Sequence, residues 1–371
     1  MISDHINQIT EPLLGWFQEH ARVLPWREHP LPYYVWVSEI MLQQTRVEAV
    51  KPYFFRFVEA LPDVEALAVC PEDRLLKLWE GLGYYNRVRN MQKAAKLVME
   101  QYGGQLPADY DKLLSLPGIG SYTAGAIASI AYHIPVPAVD GNVLRVISRI
   151  TENEEDILKQ SVKRQIEELL RGIIPGDDPG TFNQALMELG ATVCLPNGAP
   201  DCARCPLWSL CMARLHGRLD EIPKRKTKKE RRIEEKTVLV IRDGWRTVIR
   251  RRQDEGLLAG LYELPNLEGH LNEDQVVDYL KRRGFSPLQI RPLPNAKHVF
   301  SHVEWRMTGY AVLVEDMEEC ETGEFLVVEP GQTQRDYPIP AAFGAYARYL
   351  QIYLGQEKYA QEKSREEGLS I

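Results

Sequence analysis

Two folded bodies of different class are predicted, an all-α domain up to about residue 215 and an α+β domain from residue 236, joined by a basic segment. Three observations carry this. Apolar residues recur every three or four positions up to residue 215, and past residue 236 the pattern changes to short β-branched runs. Charge is partitioned: residues 1–222 carry 21 basic and 28 acidic side chains, residues 223–252 carry 13 and 4, and residues 253–371 carry 11 and 20. Four of the six cysteines fall within residues 194–211.

Helical spacing is expected over Ile6–Phe17, Val35–Val47, Met91–Met99, Tyr122–Ala131, Val143–Ile150 and Ile157–Leu170. Leu61-Pro62-Asp63, Pro71-Glu72-Asp73 and Leu116-Pro117-Gly118 punctuate them, and about ten helices are expected in all. In the second body Thr237–Ile241 and Thr247–Ile249 flank Asp243-Gly244, a hairpin turn signal. Asn272–Arg283 reads as a helix, His298–Val303 and Met307–Val314 as strands, and Ala341–Tyr353 as a closing helix. Between the bodies, Pro223–Arg232 holds seven basic residues in ten. That segment reads either as a solvated linker or as a strap that follows phosphates.

With 371 residues, 44% hydrophobic and 26% charged, the composition is that of ordinary globular domains. No run reaches the roughly 18 apolar residues of a membrane span, and the start MISDHINQIT lacks a signal-peptide pattern. A cytoplasmic, monomeric protein without membrane contact is expected. The net charge of −7 confines any polyanion binding to local patches.

Four motifs bear chemistry. Leu116-Pro117-Gly118-Ile119-Gly120-Ser121 lies between two helical segments. Its glycines allow a tight turn whose amides can face a phosphate, though it could equally be a plain helix connection. Asp140, in Val139-Asp140-Gly141-Asn142-Val143, heads a helix and on its own reads as an N-cap. Glu39 sits among Val35, Trp36, Val37, Ile40, Met41 and Leu42. Its carboxyl is either on the wet face of that helix or driven toward its protonated form by burial. Cys194, Cys202, Cys205 and Cys211 suit a structural metal site, zinc or iron–sulfur, in a chain without a secretory pattern.

In this order the motifs resemble the helix-hairpin-helix DNA glycosylases, and most nearly the adenine glycosylases of the MutY family. Leu24-Pro25-Trp26-Arg27, Ser38–Thr45, Gly81-Leu82-Gly83-Tyr84-Tyr85 and Phe182-Asn183-Gln184-Ala185-Leu186 match as well. The resemblance implies an all-α helix-hairpin-helix glycosylase domain over residues 1–215, with the hairpin at about 109–133 and a cluster loop at 194–211. A basic linker at 216–235, a Nudix-like domain at 236–360 and a disordered tail at 361–371 would follow. One [4Fe–4S] cluster is implied on the four cysteines, the first two spaced by seven residues where the family usually has six.

The implied substrate is double-stranded DNA with adenine opposite 8-oxoguanine or guanine. Glu39 would protonate the departing adenine, Asp140 would stabilise the sugar cation or bond to it, and Tyr122 and Asn142 would orient Asp140 and the water. Arg27, Trp26 and Gln184 would line the adenine pocket, and Gln44 and Tyr84 would wedge into the duplex. Gly118, Gly120 and Ser121 would hold a phosphate, and Arg204 would add a second contact unless it is simply solvated. Endonuclease III carries a lysine where this chain has Tyr122, so an abasic site rather than a nick is implied. Gly256–Pro265 resembles part of a Nudix fold, but residues 272–284 read NEDQVVDYLKRRG, without the Glu-rich Mg²⁺-binding signature. Phe300-Ser301-His302 matches the family loop that reads 8-oxoguanine.

Overall fold

A computed structural model describes residues 6–196, 200–225, 230–244, 246–317 and 324–350. Cys320, the expected tail at 361–371, the end of the expected closing helix at 351–353 and positions 226–229 of the basic segment lie outside the described residues. The chain forms two compact units, one from Met1–Val69 and Arg89–Lys228, the other from Cys70–Val88 and Lys229–Ile371.

The first unit is helical. One core packs Ile9, Leu13 and Phe17 against Val143, Val146, Ile147 and Ile150, and against Phe182, Leu186 and Leu189. These come from helices Thr10–His20, Gly141–Ile150 and Pro179–Thr192. The second and third meet at Gly190, where an added Cβ would lie 2.5 Å from the Asn142 Cβ, so only glycine permits the approach. The expected helix Val35–Val47 is instead two, Pro32–Leu42 and Val47–Ala60, broken where Gln44 takes a left-handed φ of 61°. Apolar spacing runs across the break because both helices bury their apolar faces, so periodicity alone hides it. Tyr122–Ala131 is helical but changes type, α over Ser121–Ala126 and π over Ile127–Ala131. Among the described residues no helix is long and apolar enough to cross a membrane.

The second unit is built on a seven-stranded mixed sheet with the strand order β3-β2-β1-β6-β5. The strands are β1 (Arg232–Asp243), β2 (Arg246–Arg251), β3 (Tyr262–Glu263), β4 (Asn266–Glu268), β5 (Pro287–Val299), β6 (Val303–Val314) and β7 (Leu326–Val328). β4 pairs with β1 and β7 with β2, and β1 runs parallel to β6. Alternation sorts β1 to two faces: Val238 and Val240 pack with Trp305, Phe343 and Tyr346, and Leu239 and Ile241 pack with Val276, Leu280 and Phe285. A strand covered on both sides needs a continuous apolar run, which is why Thr237–Ile241 reads as it does. The Asp243-Gly244 turn forms, with Gly244 at φ 66°. Helix Glu273–Arg282 starts on a capping box between Asn272 and Gln275. The expected strand His298–Val303 is a corner instead, since β5 ends at Val299 and β6 begins at Val303. The closing helix is short, helical over Gly344–Ala347 between 3₁₀ turns.

Residues 70–88 belong to this unit through a buried ion pair. Lys77 Nζ lies 2.7 Å from Glu80 Oε2 and donates to the carbonyls of Thr333 (2.9 Å) and Tyr337 (3.2 Å). Glu80 Oε1 accepts from the Ile339 amide at 2.8 Å. Burial pushes the Glu80 carboxyl up, and Lys77 opposes that. Lys77→Met would leave a buried carboxylate without its counter-charge, a loss on the order of 3 kcal/mol. The expected result is a lower urea midpoint by circular dichroism; an unchanged midpoint would mean that the pair does not hold this segment.

Candidate active site

The first unit encloses a cavity of about 450 Å³ whose lining includes Trp26, Arg27, Glu39, Gln44, Tyr122, Asp140, Asn142 and Gln184. Those are eight of the residues that the sequence singles out, drawn from five separate motifs.

Glu39 lies in helix Pro32–Leu42, which has Pro at its first turn and almost no polar face, so the carboxyl is inside with only 5% exposure. The Tyr122 hydroxyl donates to Glu39 Oε2, and the Tyr122 oxygen lies 3.2 Å from Met187 Sδ. Burial raises the Glu39 pKa to about 7; the Tyr122 bond and Arg27 pull it down, and the neighbouring Asp140 pushes it up. Tyr122 is held as a neutral phenol, its pKa raised by burial and then by the two carboxyls.

Asp140 is the N-cap of helix Gly141–Ile150. Its Oδ1 accepts from the amides of Asn142 (2.9 Å) and Val143 (2.8 Å), and its Oδ2 accepts from Asn142 Nδ2 (2.7 Å). Burial pushes its pKa up, and these three N–H donors oppose the shift. One donor serves Glu39 and three serve Asp140, an asymmetry that favours the proton on Glu39 over Asp140.

The remaining residues fall into three places. Gly118 (φ 77°), Gly120 and Ser121 form the turn ahead of helix Ser121–Ala126, where the Ser121 hydroxyl bonds Glu167 (2.9 Å) and receives Lys163 (2.8 Å). Arg204 is exposed on a 3₁₀ turn, 3.8 Å from Asp201. Tyr84, Phe300, Ser301 and His302 belong to the second unit. There the Tyr84 hydroxyl lies 3.0 Å from Ser301 Oγ, and Phe300 packs edge-on to Trp305 and His298.

Burial pushes the thiols of Cys202, Cys205 and Cys211 up, Cys205 to about 12, and the nearby Cys194 adds to the rise in each. Arg149 Nη1 reaches Cys194 Sγ at 3.2 Å, and the amides of Leu207 and Arg214 donate to Cys205 and Cys211. Such thiols, ringed by N–H donors and a guanidinium, could hold an anionic iron–sulfur group as thiolates. Among the described residues no three His, Cys, Asp or Glu side chains close up around a single ion. Arg145 ties this loop to the cavity: its Nε donates to the Cys194 carbonyl (2.7 Å) and its Nη2 to Asn142 Oδ1 (2.9 Å).

Sequence reasoning passed over Arg22, Arg145 and Glu188. Glu188 is wholly buried in helix Pro179–Thr192, where it accepts from Arg22 Nε (2.6 Å), Arg22 Nη2 (3.0 Å) and Arg27 Nη2 (2.8 Å). The available signal was its place four residues after Gln184, on the same face of a helix otherwise rich in apolar residues.

Residues 37–172 match the family described as HhH-GPD superfamily base excision DNA repair protein, and residues 237–348 match the NUDIX domain. A protein from Homo sapiens named adenine DNA glycosylase is 33% identical over 93% of this chain and 74% of its own length. One of the same name from Buchnera aphidicola subsp. Baizongia pistaciae is 34% identical over 79% of this chain and 82% of its own. A solved thermostable thymine-DNA glycosylase superposes with a TM-score of 0.52 at 28% identity, covering 57% of this chain and 98% of that one. A helical domain of the base excision repair superfamily precedes a Nudix-like domain, and the long alignments run across both; the chain belongs to the adenine DNA glycosylase family.

Proposed function

We propose that the protein removes adenine mispaired with 8-oxoguanine or guanine in duplex DNA by monofunctional hydrolysis of the N-glycosidic bond, leaving an abasic site. The observation that carries this is the pair of buried carboxyls in one cavity with unequal donor sets. The names of the long relatives supply the base.

Adenine inside a duplex is out of reach, so the nucleotide swings out at a cost of a few kcal/mol. Gln44 and Tyr84 fill the gap, while the amides around Gly118, Gly120 and Ser121, with Arg204, hold the backbone. Trp26, Arg27 and Gln184 receive the base. Glu39 gives its proton to adenine N7 as the C1′–N9 bond breaks with its electron pair passing to N9. The sugar becomes cation-like, and Asp140, fixed by Asn142, stabilises it until water adds at C1′. Tyr122 has no amine with which to form an imine, so the strand stays intact. Phe300, Ser301 and His302 read the base opposite. Cys194, Cys202, Cys205 and Cys211 would hold one [4Fe–4S] cluster, and their bonds to it would brace the loop.

Single-turnover cleavage of a labelled duplex, worked up with and without alkali, tests the reading. Alkali-dependent breakage of the adenine strand, faster opposite 8-oxoguanine than opposite guanine and absent opposite thymine, is expected. Breakage without alkali would overturn the monofunctional assignment.

Because Glu39 must be protonated to act, the rate falls as pH rises through about 7. Glu39→Gln loses base release while duplex affinity is kept. The same shift sets a stability signature. The native state keeps a proton that the unfolded chain gives up above 4.5, so Glu39 lowers stability as pH rises from 4.5 through about 7. Across that window the loss is on the order of 3 kcal/mol. Glu39→Gln should therefore melt higher than the parent at pH 8; a lower melting temperature would place a structural role on Glu39.

Ser301→Ala should erode the rate preference for 8-oxoguanine over guanine with little change in folding. An unaltered ratio of the two rates would remove Ser301 from partner reading.

A further inference from the structure

Glu188 carries no role in the reaction proposed above, yet it is the most completely buried charge at the cavity, with none of its side chain exposed. It sits opposite two guanidinia. Arg22 engages it through Nε, Nη2 and its backbone amide (3.2 Å), and Arg27 through Nη2. Arg27 Nη1 donates in turn to the Arg22 carbonyl at 3.1 Å, and its guanidinium lies over Phe17, 5.3 Å from the ring centre. Both arginines line the cavity. Their partner is therefore one carboxylate on a helix more than 160 positions away in sequence.

The ligand in question is a neutral purine. Two uncompensated guanidinia would draw an anion into the cavity instead and would favour the ionised form of Glu39. The Glu188 carboxylate offsets one of the two positive charges and holds both guanidinium forks by hydrogen bonds, which weakens both effects. Burial alone would push the Glu188 carboxyl up, but bonding to Arg22 and the charge of Arg27 hold it below the ordinary range, so it is an anion at neutral pH.

We propose that Glu188 is a positioning residue of the reaction, which fixes Arg22 and Arg27 and, by compensating them, keeps Glu39 protonated for its work as acid. The charged and titratable groups around Glu39 are Tyr122 from helix Ser121–Ala126, Asp140 at the head of helix Gly141–Ile150, Arg27 from helix Pro25–Glu28, Arg22 from the loop before it, and Glu188 from helix Pro179–Thr192. Arg27 already favours the Glu39 anion. Loss of the negative charge at 188 strengthens that influence, so the alkaline limb of the pH–rate profile moves to lower pH.

The inference rests on Glu39 as the acid, and the test separates the two. Full-length protein is assayed by single turnover on the adenine:8-oxoguanine duplex between pH 5 and 9, with rates normalised to active sites by burst amplitude. Glu188→Gln is expected to shift the alkaline limb down by about half a pH unit or more and, through that shift, to slow the reaction at pH 7.5 by roughly threefold or more. Glu188→Asp keeps the charge with a shorter reach; it should lose rate while its limb stays at the parent position. It also serves as the measurement if the glutamine variant does not fold. A parent limb present and unmoved in Glu188→Gln, or a limb in Glu188→Asp that moves down without loss of folding, overturns the positioning role and leaves Glu39 intact. A parent protein with no alkaline limb overturns the Glu39 reading, and this inference with it.

Discussion

The site is governed by desolvation of a carboxyl. A glutamate within a helix that is apolar on nearly every side cannot hold a full negative charge cheaply, and Glu39 answers by keeping its proton up to about neutrality. Everything around it is arranged by that constraint. The Tyr122 phenol is buried beside it, neutral, and points its hydroxyl at the carboxyl. Asp140, equally enclosed, is given an amide pair and a side-chain amide that favour the anion. Two carboxyls are thus set apart by their hydrogen-bond donors rather than by their chemistry.

Helix Gly141–Ile150 is where fold and chemistry share one element. Its N-terminus holds Asp140, and one turn on, Arg145 braces Asn142 and grips the Cys194 carbonyl. A further turn on, Arg149 reaches Cys194 Sγ and the carbonyls of Leu195 and Ile222. Its apolar face is part of the main core. Arg145 and Arg149 are four positions apart and share one face, so the helix whose N-terminal amides cap Asp140 also holds the cysteine loop along that face. The contact at Gly190 keeps this helix at the distance that such bonds require.

Residues with local signals were legible. The carboxyl in an apolar helix, the Asp before Gly-Asn and the Pro-Gly-x-Gly turn keep an ordinary reading until the motifs are taken together, but the crowded cysteines announce themselves within a few positions. So does the alternation of β1, since covering on two faces leaves an unbroken apolar run. What stayed hidden depends on partners far apart in the chain. Glu188 reads as an ordinary helical glutamate until Arg22 and Arg27 are brought to it. Lys77 and Glu80 read as an exposed i, i+3 pair, and only the Thr333–Ile339 backbone turns them into an anchor. Helix Pro179–Thr192 was missed because it buries residues on several faces and so lacks a stripe.

Backbone strain adds a separate line of reasoning about Gln44 and Tyr84. Among the described residues, five other than glycine have positive φ: Gln44, Tyr84, His133, Glu152 and Leu258. Each such position costs ~1 kcal/mol or more relative to glycine, which would take it without strain. Strain alone does not mark function, since Glu152 is occupied in ion pairs with His216 and Arg218. Gln44 has a different setting, at the break between two helices and on the cavity lining. Tyr84 follows Gly83, itself at φ 69°, and keeps about half of an aromatic ring exposed. Glycine at either position would relieve the backbone and remove the side chain. Retaining the side chain against that cost is what a residue needs if its task is to enter a gap in a base stack, where only a side chain can replace the lost contacts.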